Sequence, residues 1–247
     1  MNAAPKRSAA RPSEARTPAP KARAQDAGSA IHEQVYGQLR QAIISGQLEP
    51  GQALSVRRLS ARFNVSAMPV RVAIRQLVAT GALEMTATRR VKIARMTEER
   101  LDEISSARTA LEPELAIRAL ARVQNNPRKR KKLVADLREA DWLLAKAIKQ
   151  GDIAAYAQSN YDFHFTLYRA AEAHVLLGLV ENLWLQFGPF MRVVIGRLGT
   201  SVFLDDGHQR AIEALDNLDA GKLADAIRAD INQGSEKLSA VDFAADY

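Results

Sequence analysis

Four residues in the second half of the chain carry donor types able to hold a divalent cation: Asn160, His164, His208 and Asp230. Asn160 and His164 are four apart, so a helix sets them on one face. His208 and Asp230 arrive from later segments. Amide, imidazole and carboxylate donors suit such an ion, and an ion held between helices would offer a positive centre to a small acid. Each of the four can equally serve as a helix cap, a surface group or a hydrogen-bonded core residue. A second chemical pattern lies in the first third, in "RFNVSAMPVRVAIRQLVATGALE", Arg62 to Glu84, where Arg71 and Arg75 stand one helical turn apart. Guanidinium groups so placed can bridge guanine acceptors or clamp phosphates, although the helix can also be an ordinary surface element. No base-and-nucleophile arrangement accompanies either set, so an enzyme is not expected.

The elements that must position these groups follow from apolar spacing. Ordered structure is expected from about Ile31, where Ile31, Val35, Leu39 and Ile43 recur every fourth residue on one helix face that ends before Gly46. Pro50 and Gly51 make a turn, and Ser55 can cap a second helix packed through Leu59 and Phe63. The third helix is expected from Met68 to Thr80, with Ser66 as cap, Pro69 in the first turn, and Val70, Ile74 and Leu77 buried. Gly81 closes it. "ALEMTATRRVKIARM" then reads as a two-stranded wing around Arg89 and Arg90. Three short helices and a basic hairpin make a winged helix-turn-helix, in which the second helix of the motif enters the major groove of duplex DNA.

The remainder reads as helices with short breaks. Thr97 can cap the first, which carries Leu101, Ile104, Leu111, Leu115 and Leu120, and Pro113 is expected to bend it. Leu133, Leu137, Leu143 and Leu144 anchor the second, whose "RKRKK" start reads as solvated, with flanking DNA as the other use. Asp152 can cap the third. Trp142, Trp184, Phe187, Phe190 and Met191 suit a core or subunit interface, or the wall of a ligand pocket. Tyr156 and Tyr168 offer hydroxyl donors without an assigned task.

Composition agrees with a folded binder of polyanions. The chain has 247 residues, 47% of them hydrophobic and 26% charged, a net charge of +7 and no cysteine. Length allows two compact units. The absence of cysteine removes disulfides and thiolate metal sites and fits a cytoplasmic location. No apolar run approaches the length of a membrane span, so no membrane partner is expected. The charge is uneven. Residues 1–30 hold six Lys or Arg against Glu14 and Asp26, residues 31–95 hold ten against Glu33, Glu49 and Glu84, and the rest is slightly acidic. A basic front joined to an acidic back fits a DNA-binding module coupled to something else. The opening 1–30 reads as a flexible basic tail.

The succession "LRQAIISGQLEPGQALSVRRLSARFNVSAMPVRVAIRQLVATGALE" resembles bacterial GntR-type transcriptional regulators, over Ile31 to Ala94. By that resemblance Arg57, Arg71 and the stretch Ser66, Ala67, Met68 and Pro69 approach operator DNA. Two positions depart from the pattern: Ala67 stands where members usually place arginine, and Arg90 where the wing commonly has glycine. From Glu99 to Leu238 the pieces "RTALEPELA", "NYDFHFTLYRAA" and "GHQRAIEAL" resemble the FCD-type effector domain of the FadR subgroup. That resemblance implies a mainly α chain, with a winged helix-turn-helix at 31–95 and an all-helical effector-binding and dimerisation bundle at 96–242. It also implies a divalent metal such as zinc or nickel on Asn160, His164, His208 and Asp230, the last standing where the family usually has histidine. His174 stands where the family often has asparagine and reads as a turn residue. The effector would be a small organic acid met by Arg108, His164 and His208, and the whole a homodimeric repressor of transcription. The other readings are a sequence-tolerant structural DNA binder or a metal-dependent enzyme acting on a small acid.

Overall fold

The computed structural model describes residues 20–88, 90–198 and 207–239, with side chains from 30 to 191, Arg89 apart, and from 207 to 236. It is mainly helical. Helix α1 spans Pro20–Ile44, β1 Ala53–Leu54, α2 Val56–Phe63, α3 Ala67–Ala79, β2 Leu83–Met85 and β3 Val91–Ile93. Val35, Leu39 and Ile43 of α1 are buried and pack in one core with Leu59, Val70, Ile74 and Leu77. Ile31 belongs to the same spacing but is 41% exposed, because the packed stripe begins only at Val35. The helix itself starts at Pro20, ahead of the expected Ile31; residues 1–19 of the expected tail lie outside the described residues.

The Ser55 hydroxyl accepts from the Arg58 amide at 3.4 Å and so caps α2, which ends at Asn64 with the left-handed φ of 52°. At α3 the cap residue is Ser66, in extended backbone, but its hydroxyl makes no capping bond. The two-stranded wing is the β2–β3 hairpin, and a third strand from before α2 joins its sheet. β3 lies between β1 and β2, both antiparallel to it, with Ala53 opposite Lys92 and Glu84 opposite Lys92 on the other side. Two-residue β1 is too short to show alternation in sequence; it is held because Ile93 donates its amide to the Gln52 carbonyl at 3.0 Å.

The second half is a bundle of α4 Glu98–Val123, α5 Pro127–Gln150, α6 Ile153–Arg169, α7 His174–Leu198, α8 Gly207–Asp216 and α9 Ala220–Ser239. Thr97 caps α4 through the Arg100 amide at 3.2 Å, and Asp152 caps α6 through the Ala155 amide at 2.9 Å. Helix α4 continues past the buried Pro113. Leu133, Leu137 and Leu144 of α5 are buried, whereas Leu143 is 41% and Trp142 60% exposed, since both lie on the outer face; Lys146 sits 5.6 Å from the Trp142 ring. Trp142 is therefore not a core residue within one chain. Trp184, Phe187, Phe190 and Met191 are buried. His174 is exposed and opens α7. The "RKRKK" run is mostly exposed at the start of α5. Among the described residues no helix is long and apolar enough to cross a membrane.

Candidate functional site

The head of the molecule, from α1 to β3, is built by burying one face of α3. Val70, Ala73, Ile74 and Leu77 face the core, which leaves Arg71 and Arg75 exposed on the opposite flank. Ser66, Ala67 and Met68 at the helix start are exposed, Met68 by 66%, while Pro69 is half-buried. Arg57 on α2 and Arg90 in the wing turn are exposed too. The turn is closed by the Thr86 amide on the Arg90 carbonyl at 2.8 Å and the Arg90 amide on the Thr86 hydroxyl at 3.1 Å. Arg89 lies outside the described residues. Free guanidinium groups around an exposed helix N-terminus suit phosphate and base-edge acceptors.

Inside the bundle, α6, α8 and α9 bring His164, His208 and Asp230 together, with one ligand atom of each within 4.8 Å of the others. His164 Nε2 lies 3.1 Å from Asp230 Oδ2, and His208 Nε2 lies 3.8 Å from Asp230 Oδ1. Donors sharing one ion at about 2.0–2.2 Å lie within roughly 4 Å of each other, so the two separations from Asp230 fit. Both Nε2 atoms are buried and neither makes a well-directed hydrogen bond, although the Asp230 carboxylate stands beside each; a cation between the three groups would satisfy all of them. Burial alone would raise the Asp230 carboxyl; positive charge on His164, and then on His208 and Arg108, outweighs it and pulls the group well below the usual carboxylate range, a charge that a metal ion on the two Nε2 atoms would equally supply. A buried His/His/Asp cluster able to coordinate a metal is thus present. Asn160 is buried one turn before His164 and lines the adjoining cavity.

That cavity, about 50 Å³, is lined by Arg108, Asp141, Tyr156, Asn160, His208 and Asp230, with Leu144, Phe187 and Met191 as its apolar wall. The space suits an ion with a few waters or a very small acid rather than a bulky ligand. Arg108 is 3% exposed and its guanidinium lies 4.5 Å from the Trp184 ring and 4.3 Å from the Phe187 ring. Its Nε donates to Glu112 Oε1 at 2.6 Å. Glu112, wholly buried, also accepts from the Tyr168 hydroxyl at 2.6 Å and from Trp184 Nε1 at 2.9 Å. Arg108 therefore both reaches the cavity and carries a buried ion pair. Sequence reasoning missed Glu112 and Asp141; the four-residue step from Arg108 to Glu112 is the one signal that pointed to the first.

The head touches the bundle through α4, α6 and α7, the second by the Gln41 and Gln158 side chains. Arg100 Nη2 donates to the Gly81 carbonyl at 2.6 Å and to Gln186 Oε1 at 2.8 Å. Arg40 of α1 pairs with Glu181 at 3.0 Å. Gly188 faces the backbone of Ile44, where an added Cβ would stand 2.9 Å from its Cα and its carbonyl oxygen.

Residues 31–93 match the gntR family of bacterial regulatory proteins, and residues 103–233, more than half of the chain, match the FCD domain. The chain belongs to the GntR family. It carries the FCD type of effector domain and, like the family, is a DNA-binding transcription regulator rather than an enzyme. Among GntR relatives it is 30% identical over 156 residues to the HTH-type transcriptional regulator McbR of Escherichia coli, spanning 63% of this chain and 68% of McbR. It is 28% identical over 180 residues to the gluconate operon transcriptional repressor of Bacillus subtilis, covering 73% of this chain and 69% of the repressor. The solved structure of Escherichia coli McbR/YncC shares the fold, with a TM-score of 0.78 at 23% identity over 85% of this chain and 97% of that one.

Proposed function

We propose that this GntR regulator is a homodimeric repressor whose grip on operator DNA is set by a small organic acid bound beside a metal in the effector bundle. The observation that carries the reading is the convergence of two buried Nε2 atoms, on His164 and His208, on Asp230 at the edge of a cavity that Arg108 also lines. Asn160, His164, His208 and Asp230 would hold the ion, zinc or nickel by donor chemistry. Arg108 and the ion would together meet a carboxylate. The head, at about 31–95, would read DNA through Arg57, the Ser66–Pro69 helix start, Arg71, Arg75 and the wing arginines Arg89 and Arg90; residues 96–242 would sense and dimerise. Relatives named as operon repressors support the sign of regulation.

Helix α7 gives the two sites a common part. Its Trp184 and Phe187 pack on Arg108 and Met191 walls the cavity, while Glu181, Gln186 and Gly188 meet the head. A ligand that shifts α7 favours one head position over another, and it can do so only by as much as its affinities for the two states differ. Elemental analysis of protein purified without added metal, beside His208→Ala, tests the site. The expected result is about one zinc or nickel per chain, lost in the variant. Equal metal in both would remove His208 from the site.

A further inference from the structure

We infer that Asp141, and Tyr168 held by Glu112, are positioning residues that fix the protons of His208 and His164 on Nδ1, so that both Nε2 lone pairs face one metal position. The inference rests on the metal reading above and adds how the site is preorganised. His208 Nδ1 lies 3.2 Å from Asp141 Oδ1. An ionised carboxylate only accepts, so a hydrogen bond there requires the imidazole proton on Nδ1. Asp141 is itself steadied by the Gln209 side-chain amide, and the His208 ring is stacked on Phe163 at 3.7 Å with planes 11° apart.

The second histidine is fixed through a longer path. His164 Nδ1 lies 3.0 Å from the Tyr168 hydroxyl, which has a single proton and gives it to Glu112 at 2.6 Å. The hydroxyl oxygen can then only accept from His164, which puts the His164 proton on Nδ1 as well. Glu112 is anchored in turn by Arg108 and Trp184, so helices α4, α6 and α7 all contribute to the orientation of one ring. With both Nε2 atoms bare, His164 Nε2 and Asp230 Oδ2 are two acceptors 3.1 Å apart, a repulsive contact that a cation between them converts into attraction. Asp141 meets His208 on the nitrogen directed away from this point, so it orients a ligand without being one.

The test is a competition titration with cobalt(II), and separately zinc(II), of metal-stripped full-length protein against a chelator of known affinity. Wild type, Asp141→Asn and Tyr168→Phe are compared, with unfolding temperatures recorded in chelator. Each variant is expected to bind one ion with affinity reduced about 10–100-fold and with the visible cobalt spectrum of wild type, because the ligand atoms are unchanged. Affinities within twofold of wild type would overturn the inference while leaving the metal site standing. A changed cobalt spectrum in Asp141→Asn would make Asp141 a ligand and overturn its positioning role. Wild type that takes up neither ion would sink the metal reading and this inference with it. Should a variant fail to fold, imidazole nitrogen-15 shifts of neutral, metal-free wild type decide: Nδ1–H on both histidines is expected, and Nε2–H on either contradicts the assignment.

Discussion

Glu112 has no solvent exposure and is held by donors from α4, α6 and α7, so its removal strands the buried Arg108 charge. Glu112→Ala should therefore cost about 3–5 kcal/mol, the range for breaking a buried ion pair from one side. Thermal or denaturant unfolding measures it; a loss below 1 kcal/mol would mean that the pair is not buried as described. On the reading head, Arg71 is exposed and free to meet DNA. Arg71→Ala should weaken binding, and if Arg71 meets a phosphate the slope of log affinity against log salt should become shallower by about 1. An unchanged affinity at fixed salt would take Arg71 off the interface. The sequence exposed these residues unevenly. His164 and His208 could be singled out because the chain has only four histidines, and Asp230 because it falls where the resembled family has its fourth ligand, whereas Asp141 is one of many acids on amphipathic helices and its approach to His208 depends on how α5 and α8 pack.

Among the elements, α7 carries the account. Its Gly188 leaves no room for a side chain against Ile44, so Gly188→Ala must separate α7 from α1 by a few tenths of an ångström or more. Overpacking of this kind costs about 1–3 kcal/mol, and each kcal/mol should lower the unfolding temperature by about 2–4 °C. Metal content should stay at the wild-type level while the response of DNA binding to an acid falls. An undiminished response would argue that α7 is not the shared part. Helix α3 was legible because its stripe of Val70, Ile74 and Leu77 has helical spacing and Pro69 marks its start. Strand β1 and the early start of α1 were not. The strand is two residues long and exists only because β3 pairs with it, and the α1 segment before Ile31 lacks an apolar period to announce it. The Arg100 hydrogen bonds to Gly81 and Gln186 join segments far apart in sequence, which no local pattern encodes.

At the scale of the whole molecule, basic residues concentrate before the effector bundle, so that attraction to DNA resides in the front and the slightly acidic bundle adds little. A two-headed assembly would match an operator of two symmetric half-sites, and mass measurement in solution should give a dimer for the free protein. The central claim joins both halves: the bundle's ligand changes what the head does, with a coupling commonly worth about 1–3 kcal/mol, or roughly 5–150-fold in affinity. The direct measurement selects bound sequences from a random DNA pool, then titrates the enriched duplex against wild type and His208→Ala with and without small organic acids. A two-fold symmetric sequence is expected, together with an acid that weakens its binding to wild type at least fivefold but leaves His208→Ala unmoved. No enriched sequence, or an equal shift in both proteins, would contradict it.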